Sequence, residues 1–459
     1  MTVLFVCAIV ALDDLEGKKN MVKKKENNSI ENNSIFKSKE YKRSRLVYIA
    51  ESTFEYFITI FVADAYLAKL LTNIGISDSV IGIISSLISV AFIFQLLSIF
   101  IVSKFKNTKK SVVFFRLISN VLFLGLYFIP FMPFSVRFKT VLVFVCILFA
   151  YISNYLITSV LYKWANSYVD PYKRARFSAV REMISLFSGI IFTLIVGFTI
   201  DKYEAVGNIK GGFIFISAVI LILSISDIIS LLLIKNEPIK TEEEKHLPIK
   251  EIYKNTLGNR NFLNVILVAA LFKMATSMTV GFLGTFKTKD LLLSVGSVQV
   301  INMIANLGRM AISIPFGRYS DKHSFASGIK LAYIMAAGAF AVNIFTNNNT
   351  WWIIIIFTLL YNMSYAGFNQ NMFNITYSYV KVDYYVYATA IQNCIGGIAG
   401  FFAAILGGKI LGFIQESGNM FLGIPMYGQQ FLSLISVLIL IVDILFIHFV
   451  VEKQKIFIQ

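Results

Sequence analysis

The sequence predicts an all-α membrane protein: twelve transmembrane helices in two six-helix bundles related by pseudo-two-fold symmetry. Three observations predict it: an apolar composition, the spacing of the apolar runs, and the placement of the basic residues. Of 459 residues, 57% are hydrophobic and 15% are charged, and the mean hydropathy is +0.71. A water-facing domain carries roughly a quarter charged residues, because its surface needs them. Here Phe alone, with 43 residues, outnumbers the 26 acidic residues. Most of the surface must therefore face lipid.

Crossing the hydrocarbon takes about 20 apolar residues. From Leu46 onward, such runs fall at 46–71, 77–102, 111–132, 140–162, 181–200 and 212–234, then at 262–285, 295–316, 326–346, 351–373, 388–413 and 429–450. The longest polar segment between runs, over 236–260, divides them six and six. The expected units are a basic, disordered tail over 1–45, an N-terminal bundle over 46–235, the linker, a C-terminal bundle over 261–451 and a short C-terminus over 452–459. Residues 2–12 are apolar but too short to span, and no basic region precedes them as in a secretory signal. A Lys/Asn-rich stretch begins at Met21, which leaves it open whether residues 1–20 belong to the native chain.

Orientation follows from the basic residues. Of the 42 Lys and Arg, 32 fall in the tail, alternate loops, linker and C-terminus, with Arg116 counted in the loop between spans 2 and 3. Seven fall in the opposite loops. Basic loops stay cytoplasmic, so both termini and the linker are expected inside and the chain in the cell membrane. The net charge of +16 then reflects topology; spread over every second loop, it makes no nucleic-acid surface. Cys7, Cys146, Cys394, His246, His323 and His448 have neither redox nor metal-ligand spacing, so neither metal nor cofactor is expected.

An internal repeat agrees with the six-and-six division. A shift of 211 residues lays span 5 on span 11, with Arg181-Glu182 on Gln392-Asn393, Gly189 on Gly400 and Gly197 on Gly408. After span 8 comes Gly317-Arg318-Tyr319-Ser320-Asp321-Lys322, expected as a loop. It resembles the Gly-x-x-x-Asp-Arg/Lys signature of the major facilitator superfamily, found after span 2 and often again after span 8. The resemblance implies that Gly317, Arg318, Asp321 and Lys322 latch helices together in one conformation, and that spans 1, 4, 7 and 10 line a central cavity. It extends to the whole chain as architecture. The loop after span 2 keeps Lys104, Lys106, Lys109 and Lys110 but lacks the Gly and Asp, and span 5 lacks the Gly-Pro of drug exporters. The motifs therefore carry no substrate.

Charge inside a membrane is costly and points to function. Span 1 carries Glu51 and Glu55 one turn apart, and Glu55 is deep enough to carry a coupling proton. Asp64 projects to the opposite face and reads as an outer-gate or structural group. Lys273 sits mid-span 7, where it could pair with Glu55 across the cavity or bind an anionic group. Span 8 presents Gln299, Asn302, Asn306 and Arg309 as one stripe; span 10 presents Asn362, Tyr365 and Asn369, and span 11 begins with Gln392 and Asn393. These residues are the candidate substrate and coupling cavity. Asp227, Asp443 and His448 lie on spans 6 and 12, peripheral in this architecture, and carry less weight.

The expected function is secondary active transport of a small solute by alternating access, with protons as the candidate coupling ion and a monomer as the unit. The alternatives are a membrane-embedded enzyme or a non-transporting sensor on the same scaffold. Convergent catalytic residues are lacking for the first, and no phosphate-binding loop of a primary pump is present.

Overall fold

In the computed structural model, residues 38–101, 108–169, 174–235, 248–381, 384–421 and 423–454 are described. Every expected span is met by a helix. Span 1 is Lys39–Ile60, continued by Asp64–Ile74 across a 41° bend. Span 2 is Asp78–Ser85 and Leu87–Ile101, and spans 3 to 6 are Thr108–Leu126, Val136–Ser167, Arg174–Ala205 and Ile209–Leu233. Span 7 is Arg260–Val280, which runs through a short helix Leu283–Thr285 into a π-helical turn, Phe286–Asp290. Spans 8 to 12 are Val295–Lys322, Phe325–Asn343, Ile353–Tyr379, Tyr385–Glu416 and Gly428–Phe449.

By length and apolarity alone, eight helices among the described residues qualify as spans, and nine with the bent pair counted once. The other three are spans 3, 8 and 10, of 19, 28 and 27 residues. They are long enough but carry Arg116 and Asn120, the Gln299–Arg309 stripe, and Asn362 and Asn369. A helix can afford such groups within a membrane when they face the protein interior or a wet cavity. Lipid meets an apolar belt instead, with Phe149, Ile195, Ile222, Phe402 and Leu438 exposed.

The repeat reads directly from the helix ends. Spans 5 and 11 are both 32 residues long and start and end 211 apart (174 to 385, 205 to 416). Spans 3 and 9 are both 19 residues long and start and end 217 apart (108 to 325, 126 to 343). Within the first half, span 1 packs on spans 5 and 6, and span 4 on spans 2 and 3; between halves, span 2 packs on span 11 and span 5 on span 8. Each half has its own aromatic-rich core, around Phe57, Phe61 and Phe123 in the first and Phe272, Tyr333 and Phe340 in the second.

Two expectations are corrected here. The helix of span 1 begins seven residues earlier than the expected tail boundary, at Lys39. Ser38 caps it by accepting from Tyr41 N at 3.4 Å, and Arg45 holds it by donating to the Tyr168 carbonyl at 3.0 Å. The signature-like segment at 317–322 is not a loop: it forms the last turns of span 8, which continues through Pro315. Residues 1–37 of the expected tail, 102–107, 170–173, 236–247 of the linker, and 455–459 lie outside the described residues.

Candidate functional site

The wall contributed by the first half is a buried polar cluster around Arg116. That residue, counted above as a loop cation, lies inside span 3 and is 2% exposed. Its Nη2 donates to Glu51 Oε1 at 2.5 Å and its Nη1 to Asn154 Oδ1 of span 4 at 2.6 Å. Its Nε lies 3.5 Å from Asp227 Oδ2 of span 6, which also accepts from Asn120 at 2.9 Å. Asn154 in turn donates to Glu55 Oε1 at 2.6 Å, and Arg116 Nη1 is 3.6 Å from the same oxygen. One guanidinium thus faces three carboxyl groups. The side chains of Glu51 and Asp227 are 2% and 0% exposed, whereas that of Glu55 is 31% exposed. Glu55 is the member of the three whose side chain is not fully buried.

Asp227 was given little weight on the sequence because span 6 is peripheral, and the structure makes it part of this cluster. Arg116 itself was legible: it stands in the apolar run Val-Val-Phe-Phe-Arg-Leu-Ile, four residues before Asn120. Asp443 is the matching residue of span 12, six positions before that helix ends at Phe449, as Asp227 is before Leu233. It is fully buried, and neither carboxyl oxygen has a hydrogen-bond partner among the described residues. Span 9 places Tyr333 where span 3 places Arg116 (116 to 333, the 217 shift), so the second half keeps the acid without the guanidinium. Replacing a buried, unsatisfied polar group by a similar-sized apolar one removes a penalty of roughly 1–3 kcal/mol. Asp443→Leu is therefore expected to raise the unfolding temperature of the purified protein, and a fall in melting point would show that the carboxyl has a stabilising role.

The second half contributes the opposite wall. Lys273 Nζ donates to Tyr365 Oη at 2.9 Å and sits 5.4 Å from the centre of that ring. Arg309 approaches the same ring at 5.9 Å. Span 11 gives Lys273 its room at Gly396, where a Cβ would lie 3.3 Å from Lys273 Cγ. The Tyr365 ring is held by Phe272 and Phe368, themselves stacked at 4.2 Å. The expected pairing of Lys273 with Glu55 does not form: each has found a partner on its own half.

Between these walls lie three adjoining cavities that share lining residues. One of about 390 Å³ is bounded by Asp64, Tyr151, Lys273, Asn302, Asn362 and Tyr365. A second, about 180 Å³, adds Gln299 and Asn306. A third, about 300 Å³, leads towards the face bearing the termini past Asn369, Gln392 and Asn393. Lys273 and Tyr365 line both the first and the third. Of the twelve expected cavity residues, Glu51 is sealed inside the Arg116 cluster, Glu55 stands at its exposed edge, Arg309 lies against Tyr365, and the remaining nine line these cavities. Gln392 is mostly buried and accepts from Thr376 at 3.1 Å.

The face opposite the termini is closed by bonds between the halves. Span 1 breaks at Asp64, which takes a left-handed φ of 44°, a strained value for a residue with a side chain. Its carboxylate accepts from Lys287 at 3.1 Å and from Asn302 at 3.0 Å, and Gly284 lets the chains meet, since a Cβ there would be 2.7 Å from the Asp64 carbonyl oxygen. Asp78 accepts from Lys289 at 3.1 Å and Gln415 at 2.8 Å. Asp201 accepts from Gly296 N at 3.0 Å, at the start of span 8, where the helix dipole favours an anion. The π-helical turn brings Lys287 and Lys289 to their two aspartates. Asp64, expected as an outer-gate or structural group, here ties span 1 to span 8 and to the π-helical turn.

At the other end of span 8, Gly317 packs on span 10, where a Cβ would meet Gln370 Nε2 at 2.7 Å. Arg318, Asp321 and Lys322 are exposed, and Asp321 has no ion-pair partner among the described residues. Span 9 is capped by Ser324, which accepts from Ser327 N at 3.0 Å, so Asp321 does not cap that helix in this conformation.

Two helical bundles around a polar cavity, sealed on one face, define a membrane transporter. The family model of the Major Facilitator Superfamily matches residues 4–404, and the chain belongs to that family. No curated protein matches it by sequence. Among solved structures it is similar to nucleoside transporter NupG, at 12% identity and a TM-score of 0.66, covering 91% of this chain and 100% of that one. It is similar to a D-xylose-proton symporter at 13% identity and a TM-score of 0.66, covering 90% and 99%. An auto-inhibited POT family peptide transporter follows at 11% and 0.65, covering 90% and 98%. At these identities the likeness shows the fold alone.

Proposed function

We propose that the chain is a secondary transporter that carries a small solute by alternating access, with both termini cytoplasmic, and that the structure holds its inward-open state. The observation that carries this reading is the one-sided seal. Asp64, Asp78 and Asp201 of the first half are all bonded to the second half on the face opposite the termini. The cavity continues towards the other face through Asn369 and Asn393. Rocking the halves would break these bonds and open that face.

Proton coupling is supported by the Arg116 cluster. Three carboxyls against one cation in a low-dielectric wall leave a surplus of negative charge that binding a proton reduces. Glu55, at the exposed edge, is the exchanging group, and Lys273, Tyr365 and the amide stripes form the solute site. The residues at 317–322 are free to latch in the state that closes the cytoplasmic face.

Reconstituted in liposomes, the protein should move a solute without ATP. Asp64→Asn should weaken the seal, since each hydrogen bond to a charged group contributes about 1.5–3 kcal/mol. A cysteine placed at Ser85, in a background without the native cysteines, should then be labelled faster from the outer face. Flux that requires ATP, or labelling unaffected by Asp64→Asn, would count against this mechanism.

A further inference from the structure

We propose that the solute carries an anionic group, a carboxylate or phosphate, bound between Lys273 and Arg309 beside the hydroxyl of Tyr365. The inference rests on the transport reading above and names the substrate class of that same cavity. Its basis is the distribution of charge around the cavity. Each acidic group near the cavity is already engaged. Asp64 is bonded to Lys287 and Asn302, and Glu55 is bonded to Asn154 and lies beside Arg116.

The two cations of the second half are not neutralised in the same way. Lys273 makes no salt bridge among the described residues; its bond is to the neutral Tyr365 hydroxyl. Arg309 has one carboxylate within reach, Glu182 Oε1 at 3.8 Å, and that side chain is 59% exposed, where an ion pair contributes little. Both cations sit over one ring, at 5.4 Å and 5.9 Å from its centre. The shared ring places both cations beside Tyr365, with Lys273 on the cavity wall and Arg309 against the ring.

The surroundings suit this role. Lys273 borders both the main cavity and the one leading to the termini face, so a solute entering by that path meets it. The aromatic stack of Phe272, Phe368 and Tyr365 fixes the hydroxyl to which Lys273 donates. Charge-assisted hydrogen bonds from a lysine or arginine to carboxylate or phosphate are about twice as strong as neutral ones. A neutral solute would leave Lys273 without a counter-charge at membrane depth, and Arg309 with only the exposed Glu182, a costly arrangement. A proton on the first-half cluster and an anion on the second-half cations would also cross together as a nearly neutral load.

The test uses the full-length purified protein and paired probes: succinate against succinamide, benzoate against benzamide, and glucose 6-phosphate against glucose. Thermal unfolding is followed as each probe is titrated, and uptake of each is measured in liposomes. At least one acid should stabilise the protein and its neutral partner should not; which acid responds separates carboxylate from phosphate. Lys273→Met or Arg309→Gln should raise its half-maximal concentration roughly 10- to 100-fold, whereas Lys273→Arg should keep most of the effect. Melting of each variant without probe checks that it is folded. Equal stabilisation by neutral partners, no stabilisation by any acid, or an unchanged half-maximal concentration in Lys273→Met overturns the inference. Uptake of a neutral probe without any acid overturns it and leaves the transporter reading standing, whereas absence of flux for every probe removes both.

Discussion

Arg116→Met is expected to be the most damaging single substitution in the first half. It removes the cation that Glu51 and Asp227 share, and both are sealed from solvent. Removing one partner of a buried ion pair costs about 3–5 kcal/mol, because the remaining charge has lost its compensation. Here two carboxyls are left and Asn154 also loses a donor. The expected result is a strongly lowered melting temperature in detergent, with aggregation on mild heating. The triple variant Arg116→Met, Glu51→Gln, Asp227→Asn removes the charges together and should recover much of the loss, because neutral amides are far cheaper to bury than ions. Wild-type melting of Arg116→Met would show that the cluster does not hold spans 1, 3, 4 and 6 together.

Glu55→Gln is expected to abolish accumulation of solute against its gradient while leaving downhill exchange intact. The glutamine keeps the size of the side chain and can still accept from Asn154, which donates to Glu55 Oε1. It cannot bind and release a proton, so the link between proton and solute movement breaks and the internal-to-external ratio falls to one. Measuring steady-state accumulation and counterflow in the same liposomes separates the two effects. Unchanged accumulation would take Glu55 out of the coupling role. Loss of counterflow as well would place it in the solute site.

The sequence was most informative where the physics is local. Lipid selects apolar runs of a set length residue by residue, and basic loops mark one side of the membrane. The helix positions, the six-and-six division and the 211-residue repeat between spans 5 and 11 were therefore readable without coordinates. Polar stripes on spans 8 and 10 followed from helical periodicity alone. The Arg116 error arose from the same rule: a cation near a span end was read as topology, although its neighbours on both sides are apolar.

The partners needed three dimensions. Glu51 and Glu55 are one helical turn apart in sequence, yet Arg116 lies 65 residues from Glu51 and Asp227 lies 107 residues from Asn120. No spacing rule links positions on different helices, since each helix can turn any face towards its neighbours until packing settles it. Packing also separated Lys273 from Glu55 and gave Tyr365 to the lysine. It seated Asp64 on Lys287, 223 residues away, and carried the 317–322 segment on as helix. The sequence by itself determined that this chain crosses a membrane twelve times in two repeated halves. Which buried charges meet, and which face is sealed, was decided by the tertiary structure, because an ion in a membrane is stabilised only by the particular groups that surround it.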